Sequence, residues 1–201
     1  MKHFSAVLPL LAILLFCSFS KYQSGIAACY ISFNQADGLK MAAPERLPEG
    51  AAKTRTLQTP NGDVDVSRID GYRILYNNKK QVPFVNVKVE KSDDAQYAKD
   101  TTAILANLQY VNSKSIDMES KNLIELSFNG YKLHGVSRSN IDAGSTLGIF
   151  VMFPGNNMVV YFYFNNLKPE VRNFESLDDY KGQRNAFLGG YTAHLQNCGN
   201  K

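Results

Sequence analysis

Tryptophan is absent, and histidine and cysteine occur three times each. Without tryptophan, aromatic contacts fall to 11 tyrosines and 12 phenylalanines. So few histidines leave little for acid–base or metal chemistry. Neither G-x-S-x-G nor H-E-x-x-H occurs, which excludes the common serine-hydrolase and zinc-protease arrangements. Beyond the N-terminal leader no stretch approaches the roughly 18 uninterrupted apolar residues of a membrane span. A large excess of one charge is also missing. The formal charge is +4, and losing Lys2 and Lys21 with a targeting segment would lower it to about +2. That is too little to argue for nucleic acid. Internal repeats and low-complexity tracts are absent, and nothing in the sequence asks for a cofactor.

What is present reads first as an exported protein. Lys2 and His3 precede an apolar run from Ala6 to Phe16, which is too short to span a membrane and has the form of a secretory signal. Residues 1–20 are therefore expected to be a signal peptide. Ser18-Phe19-Ser20 offers a cleavage site, and Gly25-Ile26-Ala27 or Ile26-Ala27-Ala28 would place it as late as 28. Cys17 lies in the leader, so Cys29 and Cys198 remain, at opposite ends of the mature chain. In an oxidising compartment such a pair suggests a disulfide. The alternative is a lipid anchor, since Ile26-Ala27-Ala28-Cys29 resembles a lipobox. Lys21 to Gly25 separate that cysteine from the apolar run, and the compartment rule favours the disulfide.

Residues 29–53 read as an irregular N-terminal arm, with two prolines and little periodicity. A single domain is expected over 54–198. Thr54–Thr59 and Asp63–Ile69 flank Pro60-Asn61-Gly62, a hairpin signal. Asp63 and Asp65 beside Asn61 lack the glycine and distal glutamate of a calcium loop, so no metal site is expected. Tyr72 to Tyr76 reads as a strand. Pro83 to Lys91 alternates with Val85, Val87 and Val89 on one face. At Ser92-Asp93-Asp94 the period changes, and Tyr97, Thr101, Ile104, Leu105, Leu108 and Val111 mark an amphipathic helix. Leu123–Phe128 and Tyr131–Ser137 flank Asn129-Gly130, a two-residue turn that sets Glu125 opposite His134. This is the one histidine–carboxylate pair the pattern yields. It reads as a surface cross-strand pair first and as a candidate acid–base pair second.

The most apolar stretch is Thr146 to Asn166, two strands around Pro154-Gly155-Asn156-Asn157. A four-residue loop would set Val151 opposite Val160 and Ile149 opposite Phe162. One face would then carry Phe150, Met152, Val159, Tyr161 and Tyr163. Both faces are apolar, which predicts central strands covered on both sides. The Phe150, Met152, Tyr161, Tyr163 face is first a core face and second a candidate ligand or partner surface. Asn165 to Ser176 is a long loop holding Arg172, a further candidate for a partner. A last helix is expected from Leu177 to about Gln196, with Ser176 and Asp179 as a capping box and Gly189-Gly190 within it.

These elements predict an α+β domain, a mostly antiparallel sheet with helices on both faces, that is, an α/β/α sandwich. The valine-rich PFVNVKVEK strand before the first helix, the two meander hairpins and the closing helix resemble PsbP-like domains over about Val64 to Gln196. That resemblance implies the same sandwich and an exported accessory protein. It carries over no metal or partner residues. The expectation is an exported, non-enzymatic accessory or binding protein for an unknown protein or small ligand. The alternatives are a small secreted hydrolase using Glu125 and His134, or an envelope lipoprotein anchored at Cys29.

Overall fold

A computed structural model describes residues 26–34, 36–48 and 54–199. The expected signal peptide lies outside these residues. Among the described residues, ten strands and two helices follow a short 3-10 turn at Ala28–Ile31. The strands are β1 (Lys40–Met41), β2 (Glu45–Arg46), β3 (Thr54–Thr59), β4 (Gly62–Ser67), β5 (Asp70–Asn77), β6 (Pro83–Lys91), β7 (Ile124–Phe128), β8 (Tyr131–Ser137), β9 (Thr146–Gly155) and β10 (Met158–Asn165). Helix α1 (Tyr97–Lys114) falls between β6 and β7, and α2 (Leu177–Gly199) closes the chain.

The main sheet runs β1-β5-β6-β10-β9-β8-β7, with β2 also on β5, and every pairing is antiparallel. Strands β3 and β4 form a separate hairpin. Residues of α2 join Ile74, Phe84, Val85, Val87, Val89, Phe150, Phe162 and Phe164 in one core. Residues of α1 and of the β3–β4 hairpin join Val151, Val159 and Tyr161 in a second. The sheet thus has a helix on each face, as the doubly apolar central strands require.

Register is where sequence and structure part. Met158 pairs with Gly155, so the turn is Asn156-Asn157 alone. Both asparagines take positive φ, 51° and 58°, a pair of values that suits a two-residue turn between twisted strands. A β-bulge between Met158 and Val160 then shifts the ladder by one residue, so Val151 faces Tyr161, Ile149 faces Tyr163, Met152 faces Val160 and Phe150 faces Phe162,. One residue of slip moves side chains to the other face. Phe150 and Met152 point to the α2 core and are fully buried there, away from Tyr161 and Tyr163, so they form no ligand or partner surface. Tyr161 and Tyr163 point to the α1 side.

The Asn129-Gly130 hairpin has the expected register, Leu126 opposite Leu133 and Glu125 opposite His134. Glycines make room around Phe150. A Cβ on Gly135 would lie 2.3 Å from its ring, and one on Gly148 would lie 2.4 Å from the Tyr180 hydroxyl. Helix α1 starts after the Ser92-Asp93-Asp94 cluster, in which Asp93 accepts from Ala95 N at 2.9 Å. Asp100, buried in its first turn, accepts from Ser67 N at 3.2 Å and Ser67 Oγ at 2.5 Å, tying α1 to β4. At α2 the capping box forms in both directions, at 3.1 and 3.2 Å.

The N-terminal arm is more ordered than its composition suggests. β1 and β2 extend the sheet along β5, and Ile26 and Phe33 are buried in the α2 core. Gly190 leaves space for the Phe33 ring, 3.0 Å from where its Cβ would be. Tyr76 and Tyr191 donate to the carbonyls of Phe33 and Tyr30, each at 2.7 Å. Cys29 and Cys198 form a disulfide across a Cα separation of 6.0 Å, joining the 3-10 turn to the last turn of α2.

Candidate functional site

The Glu125–His134 pair forms, with Nδ1 and Oε1 3.5 Å apart. Strand β7 is the sheet edge, and the Glu125 side chain is 66% exposed. This is the geometry of a surface cross-strand pair. No short hydrogen bond links the two groups, and Ser127, two residues along the same face of β7, pairs with Lys132 instead,.

Arg172 is held by its own loop and the next. Its guanidinium donates to Asp142 Oδ1 at 3.2 Å and to the carbonyls of Leu167 and Ile141 at 3.2 and 3.3 Å. It also covers the Phe174 ring at 5.3 Å. With Leu167 and Phe174 buried, the Asn165–Ser176 segment is fastened to the domain. Asn78, itself buried, donates to Val171 O at 2.7 Å from below.

Tyr161 and Tyr163 lead to a different place. Their rings stack at 6.1 Å on the α1 side of the sheet. Above them, the β3–β4 hairpin lies beside α1, fastened by Asn107 Nδ2 donating to Gln58 O at 2.8 Å. Arg55 and Leu57 of β3 pair with Val66 and Val64 of β4. Leu57, Val64 and Val66 belong to the α1-side core, which gives the hairpin its inner face. Asp63 and Asp65 fall on the other face by strand alternation. The three layers do not close completely. A cavity of about 130 Å³ remains, lined by Arg55, Leu57, Ile104, Asn107, Leu108, Val111, Ile149, Tyr161 and Tyr163.

Its polar end is built on charge. Glu90 of β6 is buried, with Arg55 at 3.4 Å, Lys88 at 3.3 Å and Arg68 at 3.9 Å. Arg73 on the neighbouring strand is taken by Glu45 at 2.6 Å. One carboxylate therefore meets three cations. Arg55 donates to the Tyr161 hydroxyl and stands 4.7 Å from the centre of that ring. Its Nε is buried with no hydrogen-bond partner among the described residues. Burial pushes the Tyr161 hydroxyl well above the usual tyrosine range despite the opposing pull of Arg55, and burial raises Tyr163 as well. Burial works to lower Arg55, but Tyr161 and Glu90 outweigh it and the guanidinium is raised. Both tyrosines are neutral and Arg55 is charged at any physiological pH.

Of the residues marked in the sequence, the structure brings Tyr161 and Tyr163 into a cavity. It separates them from Phe150, Met152, Arg172, Glu125 and His134. The sequence pattern does not single out Arg55, Arg68, Lys88 or Glu90 as site residues. A signal existed for two of them. In PFVNVKVEK the face opposite the three valines is Asn86, Lys88 and Glu90, a polar row on a central strand. Those residues pair with Tyr163, Tyr161 and Val159. A polar row beside an aromatic face shows where the apolar face ends. Arg55 could not be found so, since the hairpin's docking position is not written in its own pattern. Among the described residues no three His, Cys, Asp or Glu side chains gather as metal ligands. The chain matches no protein-family model, no curated protein and no solved structure.

Proposed function

We propose that this is an exported, non-enzymatic accessory protein that binds a small ligand in the cavity between α1, the β3–β4 hairpin and the Tyr161–Tyr163 face. One observation carries the reading. A partly apolar cavity has a half-buried cation at its end, and the buried Nε of that cation has no hydrogen-bond partner among the described residues. Concave apolar sites with a few convergent polar groups are where small ligands bind. The exposed setting of Glu125, on the sheet edge beside a half-buried His134, supports a binding role over a hydrolytic one.

Export is supported by the Cys29–Cys198 disulfide, which persists in an oxidising compartment,. No helix among the described residues is long and apolar enough to cross a membrane. A bridged Cys29 has no thiol for a lipid anchor. Ile26, buried three residues before it, supports cleavage directly after Ser20, because processing at Cys29 would remove a core side chain. The likeness to PsbP-like domains adds the same picture of an exported accessory protein.

The test is a thermal-shift screen of small molecules on the oxidised mature protein, repeated on Leu108→Phe, which adds bulk to the cavity wall. Ligands that raise Tm in the wild type and not in the variant support the reading. Stabilisation that survives Leu108→Phe unchanged counts against this cavity. Intact mass before and after reduction tests the exported, bridged form, which gains two hydrogens on reduction and carries no acyl mass at Cys29.

A further inference from the structure

We propose that the ligand of this cavity is a small organic monocarboxylate, its carboxylate on Arg55 and its apolar body between α1 and Ile149. The inference rests on the cavity being the binding site, and adds the class of molecule. Charge is the first argument. Arg55, Arg68 and Lys88 converge on Glu90 alone, and Arg73 is already matched by Glu45. The site holds a surplus of positive charge, and Asp63 and Asp65 fall on the outer face of the hairpin where they do not offset it. A half-buried surplus of this kind favours an anion and rejects a cation,.

Geometry is the second argument. A planar guanidinium matches a planar carboxylate with two donors. Arg55 lines the cavity, and its Nε has no hydrogen-bond partner among the described residues while its Nη2 meets Tyr161 and Glu90. The third argument is size and wall chemistry. About 130 Å³ is close to the roughly 150 Å³ of a dry cavity that takes up benzene. One ring or a short acyl chain fills it. The walls at Leu57, Ile104, Leu108, Val111 and Ile149 are apolar, and Arg55 is the one charged lining residue. A second anionic group on the ligand would have nothing to meet. The rings of Tyr161 and Tyr163 add aromatic surface to the same cavity.

The experiment is calorimetric titration of the oxidised mature protein with four probes of one shape: phenylacetate, phenylacetamide, phenethylamine and ethylbenzene. The carboxylate is expected to bind at least about tenfold more tightly than the amide, the scale of one charged hydrogen-bonded contact, and the amine not to bind. Arg55→Gln should bring the carboxylate down to the level of the amide and leave ethylbenzene unchanged. Arg55→Lys should recover only part of the difference, because it keeps charge and loses the fork. The probe series on the unaltered protein decides the charge preference even where Arg55→Gln does not fold. Equal affinity for acid and amide, or an advantage that survives Arg55→Gln, overturns the ligand class and leaves the cavity standing as a neutral site. Binding by none of the four probes overturns the cavity reading and this inference with it.

Discussion

Phe162 and Glu90 show how differently single residues are held. Phe162 is fully buried, with Tyr191 at 5.0 Å and Phe187 at 6.3 Å between ring centres. Its stability comes from apolar area and packing, so Phe162→Ala is expected to cost about 3–5 kcal/mol in urea unfolding. A loss under about 1 kcal/mol would mean that the centre of the core lies elsewhere. Glu90 is held by charge instead. Removing a buried partner leaves the others uncompensated, at about 3–5 kcal/mol for a fully buried pair. Arg55 and Lys88 each keep 26% of their side chains accessible, and water relieves part of that. Glu90→Gln is therefore expected to cost about 2–3 kcal/mol at neutral pH. Glu125→Gln, on the exposed edge, should cost under about 1 kcal/mol. Equal losses for the two glutamates would show that the cluster around Glu90 carries no special burden.

At the scale of elements, the turn between β9 and β10 and the bulge beside it together decide which side chains reach which helix,. Asn156 and Asn157 sit in the left-handed region, and Asn157 also donates to Asp94 and accepts from Ser92 N at 2.9 Å. Asn156→Gly is expected to leave stability unchanged or raise it by a few tenths of a kcal/mol. Asn156→Val should lose about 1–2 kcal/mol, the cost of that conformation for a residue with a bulky Cβ. If both variants melt alike, the turn is not the device that fixes register. The same contrast explains what could be read in advance. Asn129-Gly130 is an unambiguous two-residue signal, and its hairpin has the register its sequence implies. Pro154-Gly155-Asn156-Asn157 contains four turn formers, and apolar residues on both sides of each strand give no penalty for a slip. Pattern alone does not choose between registers, and the bulged ladder sets Phe150 and Met152 on the face opposite Tyr161 and Tyr163.

For the molecule as a whole, the disulfide closes a loop with a sequence separation of 169 residues. In the chain-entropy view a loop that long contributes about 5 kcal/mol through the unfolded state. Cys198→Ala should lower the Tm of oxidised protein toward that of the reduced wild type, and unchanged melting would speak against a bridge in solution. Alkali should act on the whole fold too. Burial raises the hydroxyls of Tyr76, Tyr161, Tyr163 and Tyr191, and pushes Tyr180 up to about 12. Below about pH 10 these groups are protonated in both states and their contribution is complete. Above it the unfolded chain ionises first, and stability falls by about 1.4 kcal/mol per pH unit for each such tyrosine until its folded value is reached. Tyrosinate absorbance, undisturbed by tryptophan, should rise cooperatively with loss of circular dichroism. A smooth titration of every tyrosine near pH 10 with the fold intact would contradict the burial described here.

The order of strands and helices, the two-helix sandwich and the pairing of the terminal cysteines were legible in the sequence, because each follows from local periodicity, turn chemistry or the count of thiols. The register of the central hairpin, the docking of the arm and the cavity at Arg55 were decided by the tertiary structure. Each depends on contacts between segments far apart in the chain. Arg55 and Glu90 are 35 positions apart, Phe33 and Gly190 157, and no local pattern states which will meet. The hairpin that carries Arg55 shares no backbone ladder with a strand of the main sheet among the described residues. Its place comes from packing on α1 and Tyr161, and packing is a property of the assembled molecule.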